Sequence, residues 1–314
     1  MGILSVNCIA LFDSSRTSGA IHLFPILKSM TMRKFLKNTI SISFLFLSLL
    51  VCLIILRATI VRSHSWELPA QKHIMFMGAS HLNHAIDDSM TKSAVNWTKG
   101  SERYMFTYIK LERLLKQNPQ LDTVFLELAP TDLWAETDYK YFDEKEQAGF
   151  VPYYWPLFDL DNLSIYKSQP IQVLSSICGH LLDFKGLTRE SYWELLGGYN
   201  NVSDVMDITK VKPEIDKNKG FGQKINYLYL NKIIDLCKDK GVKLIFLETP
   251  TYHPEYYYDV DYFYKAYREN FSDIEFADYS KWSIPLNEMY DAHHLNHKGA
   301  VRFTNEIKRR YNIK

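Results

Sequence analysis

The chain has 314 residues, 46% of them hydrophobic and 14% aromatic, enough to bury one large core or two modest ones. Its 37 basic and 36 acidic residues nearly cancel, to a formal charge of +1, and are spread along the chain. No basic face therefore points to nucleic acid, and no polyanionic partner is implied.

From Asn38 to Leu56, "NTISISFLFLSLLVCLIIL" carries no charge and would make roughly 28 Å of helix, close to the thickness of a bilayer core. It predicts one transmembrane helix over 38–58. Lys28, Arg33, Lys34 and Lys37 precede it, whereas only Arg57 and Arg62 follow closely, so the positive-inside bias places a tail of residues 1–37 in the cytoplasm. The run is long for a cleaved signal peptide, and "RATIVRSHSW" offers no small-x-small cleavage site. "LLVC" resembles a lipoprotein box only loosely, because the apolar run continues past Cys52. The stretch before Met30 has no clear pattern, so translation from Met30 or Met32 stays open. Beyond a linker at 59–70, residues 71–314 are expected to form one extracytoplasmic domain, periplasmic or at the cell surface.

Within that domain, strand-length apolar runs alternate with helical patterns. "HIMFMG" (73–78) reads as a buried strand, 101–117 as a helix with Tyr104, Tyr108, Leu111 and Leu115 at helical spacing, and "DTVFLEL" (122–128) as a second strand. "INYLYLNKIIDLCKDK" reads as a helix closed by Gly241, followed by strands at 242–248 and 274–278 and a final helix, "GAVRFTNEIKRRY". Apolar strands separated by helices predict an α/β fold, a parallel sheet covered on both faces with ligands at the carboxyl ends of its strands. Residues 135–220 break the rhythm. They are rich in aromatics, include a charged run "KVKPEIDKNKG", and read as an insertion over the sheet, a small helical subdomain being the alternative. Of the four cysteines, Cys178 and Cys237 fall in the outer domain; a disulfide is allowed there, but two helix-borne thiols suit a core equally.

The first strand stops at "GASH", which puts Ser80 at the strand's carboxyl end. A serine becomes a nucleophile only with a base to take its proton and a third group to orient that base. "YDAHHLNHKGA", just before the last helix, supplies Asp291 and His294 three residues apart, a spacing at which the carboxylate can reach back to the imidazole. His253 and His293 invite a metal reading with Asp291, but no carboxylate cluster completes a site, and no metal or other cofactor is expected.

This order of parts, "GASH" after the first strand and "DAHH" before the last helix, resembles the SGNH (GDSL-like) hydrolase and acyltransferase family over roughly residues 70–314. The "HLNHKGA" continuation resembles its membrane-anchored envelope branch, which includes alginate O-acetylation factors and the teichoic-acid D-alanyl transfer protein. The resemblance implies a three-layer, flavodoxin-like sheet with Ser80 as nucleophile, His294 as base and Asp291 as its partner. It also implies an oxyanion hole, for which Gly100 and Thr131 are the candidates. This chain departs from the pattern at Ala79, where the family usually has Asp, and in "LAPTDLW", which lacks the family's Asn. The expected activity is transfer of an acyl group through an acyl-serine to the hydroxyl of a cell-envelope polysaccharide, with a multispanning membrane acyltransferase as a possible acyl supplier. Deacetylation by the same triad and a catalytically silent glycan-binding or assembly role are the alternatives. Tyr153, Tyr154 and Trp155, with Trp193, are expected to form an aromatic wall of the substrate cleft, and His81 and His253 to line it.

Overall fold

A computed structural model describes residues 23–133, 136–211, 225–254 and 259–314. Most of the expected tail and all but the first two residues of the charged run at 210–220 lie outside the described residues. The chain divides into two units, Met1–Ile55 and Leu56–Lys314. The first contains most of α1 (Leu23–Ser63), which from Thr31 is long and apolar enough to cross a membrane. Its side chains between Met32 and Leu56 are largely exposed, as they would be if lipid were their solvent.

The second unit is built on five parallel strands in the order β2–β1–β3–β4–β5: β1 (Ile74–Met77), β2 (Ala94–Asn96), β3 (Thr123–Glu127), β4 (Lys243–Glu248) and β5 (Glu275–Asp278). Side chains alternate between the faces along each strand. Met75, Met77, Val124, Leu126 and Phe246 enter one core, and Ile74, Phe76, Phe125, Ile245, Leu247 and Ala277 enter the other. The first core is closed by α3 (Tyr104–Gln117), α9 (Ile225–Lys240) and α10 (Val260–Asn270), the second by α2 (Ser80–Ala85) and α11 (His297–Tyr311). Both faces are thus covered, which is why the central strands β1, β3 and β4 are apolar over most of their length, whereas the edge strand β5 keeps Glu275 and Asp278 exposed. The strand order reverses between β1 and β3, and in open α/β sheets such a switch point is where ligands bind, at the carboxyl ends of the strands.

Residues 136–211 are mostly helical: α4 (Glu136–Tyr139), α5 (Glu144–Tyr154), α6 (Leu160–Ile165), α7 (Pro170–Gly179) and α8 (Arg189–Leu196). They share the first core rather than forming one of their own. A buried ion pair, Lys110 Nζ to Glu102 at 2.8 Å, ties them down: Lys110 also donates to the Leu196 carbonyl, and Glu102 accepts from Tyr154 Oη. Cys178 and Cys237 are both free thiols. The three-residue strand β2 and helix α10 are among the elements that had no counterpart in the sequence reading.

The polypeptide enters the second unit at the amino ends of the strands. Leu68 N–H donates to the Asn118 side chain at 2.7 Å, and Asn118 caps the end of α3, just before β3 begins. The carboxyl ends lie on the other side of the sheet, where the candidate site is built.

Candidate active site

Ser80 is the first residue of α2, immediately after the turn that ends β1. Gly78 shapes that turn. Its φ is +143°, and an added Cβ would lie 2.3 Å from Glu127 Cβ, so glycine alone lets the end of β3 come this close. Glu127 Oε2 then accepts the N–H groups of Ala79 and Leu82, each at 2.9 Å, on either side of Ser80. Those donors are among the amides that a helix start leaves without intrahelical partners. A buried carboxylate from the neighbouring strand thereby holds the serine turn.

The second block is fixed just as locally. Met289 and Leu295 form an antiparallel bridge, and Tyr290 N–H donates to the His294 carbonyl at 2.8 Å, closing a tight loop over 290–294. Asn296 caps α11 by accepting from the N–H groups of Lys298 and Gly299, while its amide donates to the carbonyls of Asn287 and Met289. Inside the loop Asp291 Oδ1 accepts the N–H groups of His293 and His294 at 2.8 and 2.9 Å.

These two blocks meet. His294 Nε2 lies 2.9 Å from Ser80 Oγ, and His294 Nδ1 lies 2.9 Å from both oxygens of Asp291. Hydrogen bonds from His294 and its positive charge hold the Asp291 carboxyl down at about 2, against the effect of burial. Asp291 is therefore an anion throughout the physiological range, able to fix the imidazole tautomer with its free nitrogen toward the serine.

Three more imidazoles surround His294: His81 and His84, with ring centroids 5.4 and 4.8 Å away, and His293, at 6.3 Å. Burial, followed by repulsion from neighbouring histidines, lowers the pKa of His84 and of His293 to about 4. Both stay neutral when His294 takes a proton. His81 Nδ1 sits 3.4 Å from Glu248 Oε1, and burial keeps the Glu248 carboxyl well above its usual range. Among the described residues, no three His, Cys, Asp or Glu side chains are placed to hold a metal ion.

A model of an uncharacterised protein family matches residues 195–312. No curated protein matches the chain. The matched stretch is well under half of the chain; it contains β4, β5 and the Asp291–His294 loop but not Ser80.

The other residues singled out in the sequence fall in different places. Gly100 lies exposed in the turn after β2, one residue past Lys99, whose N–H donates to the Gly78 carbonyl at 3.1 Å. Thr131 is half-buried in the turn after β3, where its neighbour Asp132 turns inward to accept Ala129 N–H. His253 is exposed and, with Thr251, Tyr252, Lys281 and Trp282, lines an open groove of about 540 Å³ beyond β4 and β5. That groove adjoins the triad loop, because Tyr252 N–H donates to the carbonyl of Ala292 at 2.9 Å.

The aromatic wall expected at 153–155 is not part of the site. Tyr154 is fully buried in the first core. Trp155 belongs to the opposite end of the sheet: the next two carbonyls, of Pro156 and Leu157, accept from Arg62 and from Arg113 near the end of α3. Tyr153 precedes it on the same helix and packs against His180. Trp193 is held between Trp97 and the Arg189 guanidinium. An aromatic-rich segment inserted after a strand's carboxyl end need not stay there, and α5 carries this one back along α3.

The wall beside α2 is instead a strap at 197–200. Asn83 donates to the carbonyls of Thr98 and Gly198 and its own carbonyl accepts Asn200 N–H; the Asn200 amide lies 3.1 Å from His84 Nε2, and Tyr199 Oη lies 3.0 Å from His297 Nδ1. Neither this strap nor Glu127 was singled out in the sequence. Glu127 had a signal, a carboxylate inside an otherwise apolar strand, and Glu248 repeats it in the next strand of the sheet.

Proposed function

We propose that the chain is a membrane-anchored, serine-dependent O-acyltransferase that modifies a cell-envelope glycan through an acyl-serine at Ser80. The observation that carries this reading is the hydrogen-bonded series Ser80–His294–Asp291 at the carboxyl end of β1. The strand order 2-1-3-4-5 is that of flavodoxin-like sheets, in keeping with the resemblance to SGNH hydrolases.

In the first half-reaction Ser80 Oγ attacks the acyl carbon of the donor while His294 Nε2 takes the hydroxyl proton. The bond from acyl carbon to leaving oxygen breaks, and His294 returns the proton to that oxygen. In the second half a sugar hydroxyl gives its proton to His294 and attacks the acyl-serine; the bond from acyl carbon to Ser80 Oγ breaks, His294 returns the proton to Oγ, and the ester is left on the glycan. The Ser80 N–H at the start of α2 and the Gly100 N–H are the donors proposed for the developing oxyanion. Water in place of the sugar would make the same site an esterase. Transfer is favoured by the groove beside the triad loop, which gives an acceptor a place to lie.

The test is hydrolysis of a small activated acetate ester by the full chain in detergent, compared with Ser80→Ala, together with mass spectrometry of the Ser80 peptide. Turnover that disappears in the variant, with an acetyl group trapped on Ser80 at short times, supports the reading. Equal hydrolysis by both chains, or no acetyl-serine under any donor, overturns it.

A further inference from the structure

The insertion carries side chains that no water-facing surface needs. Leu182 is 73% exposed and Phe184 80%, with Ile171 at 79% and Leu174 at 51% on one face of α7 just before them. The other face of α7 buries Val173 and Ile177, so the helix carries apolar side chains on both sides, with the uncharged Gln172 and Ser175 exposed between them, and it contains no charged residue. Exposed apolar clusters of this kind mark contact with a partner or a membrane.

Their position decides between the two. Arg57 is the first charged residue after the apolar run that ends at Leu56. Its guanidinium donates to the carbonyls of Asp183 and Lys185, the residues on either side of Phe184. His64 Nε2 lies 3.2 Å from the Gly186 carbonyl, so the whole turn 182–186 is fixed to the segment by which the chain enters the unit. An arginine that closes a bilayer-length helix belongs at the headgroup level, and a phenylalanine held between two of its hydrogen bonds belongs there too. The turn's own charges suit an interface: Lys185 is exposed, and the Asp183 carboxylate turns back to accept Lys185 N–H.

We infer that Leu182 and Phe184, continued by Leu174 and Ile171, form a lipid-contacting surface that lies in the headgroup and acyl boundary of the membrane crossed by α1. This rests on the anchoring part of the proposed function and not on the chemistry at Ser80. It gives the anchor a second point of attachment, which would restrict how the unit tilts on its tether.

The test uses the full chain reconstituted into phosphatidylcholine vesicles with and without brominated acyl chains, which quench only tryptophans that touch them. Phe184→Trp replaces an exposed ring and leaves the core intact. The emission it adds over the parent chain should be blue-shifted and should be largely lost in brominated vesicles. Tyr262→Trp, on α10, should lose none of its added emission. Phe44→Trp, within the apolar run, reports the anchor itself. Quenching at 44 but not at 184 overturns the lipid surface and leaves the anchor in place, as it would if a protein partner or a second copy covered the patch. Quenching at neither position overturns both.

Discussion

At the scale of single residues, the site depends on charges held in fixed forms by their surroundings. Asp291 is an anion at every pH where the protein would work. Replacing it by Asn keeps the shape but presents an amide to His294 Nδ1 and allows the wrong tautomer; on the proposed mechanism we expect acetate ester turnover to fall on the order of 10⁴-fold, read from kcat at saturating ester. Glu127 behaves in the opposite way. Burial, reinforced by the nearby Asp132 and Glu248 and opposed by His81 and Leu82 N–H, raises its carboxyl from 4.5 to about 7. A carboxyl whose folded value is raised binds its proton more tightly in the native state, so its contribution is complete below about 4.5 and is lost as the pH rises through about 7. His84 and His293, lowered from 6.5 to about 4, contribute stability that is present above 6.5 and lost on acidification. The two slopes overlap between roughly 4.5 and 6.5, and a variant separates them. Glu127→Gln retains an oxygen for Ala79 and Leu82 N–H but does not titrate. Its urea midpoint should therefore fall less than the parent's between pH 5 and pH 8; parallel profiles would show that Glu127 is ionised throughout.

At the scale of elements, the chain's legibility follows how local each signal is. β1, β3 and β4 were readable because burial on both faces demands a run of three or more apolar residues, and α9 because its stripe and its terminal Gly241 lie within one segment. β2 was not, since three residues paired to one side of β1 leave no pattern above the background. Helix α10 was missed because "DYFYKAYREN" mixes aromatic and charged residues so evenly that its buried Phe263 and Ala266 do not stand out. The triad came from two blocks whose internal hydrogen bonds span only a few residues, whereas the Asn83–Asn200 and Glu127–Ala79 contacts join distant segments and left no local trace. The strap illustrates this. "GGYNN" reads as a plain turn, yet Gly197 has φ +139° and a Cβ there would lie 2.3 Å from the Thr98 carbonyl oxygen. Gly197→Ala should cost on the order of 1–3 kcal/mol from backbone strain alone, seen as a lower denaturation midpoint. It should also displace Asn200 from His84 and slow any reaction at Ser80. An unchanged midpoint would mean that the strap accommodates the methyl group and is not seated as described.

At the scale of the whole globular unit, two ends of one sheet are given to different tasks. The chain enters beside the amino ends of the strands, where Arg57, Arg62 and Leu68 are tied to the insertion and to the end of α3. Ser80 and His294 lie at the carboxyl ends. Strands of four to six residues separate these ends by roughly 13–20 Å, before the loops at either side are counted. On the inferred placement of the turn 182–186 at the headgroup level, the ester of a bilayer lipid lies a sheet's length from the serine. The reading as an acyltransferase then requires a donor that is soluble or is handed over by another protein, and it disfavours direct use of a membrane lipid. Full chain in vesicles whose phospholipid is the only acyl source should yield no acyl-Ser80 peptide by mass spectrometry, whereas adding a soluble short-chain activated ester to the same vesicles should yield one. Acylation of Ser80 from the vesicle lipid alone would mean that the unit turns its carboxyl edge to the membrane. The tether at Arg57 and the apolar turn at Phe184 would then have to release, and the brominated-lipid quenching at position 184 should disappear in the same preparation.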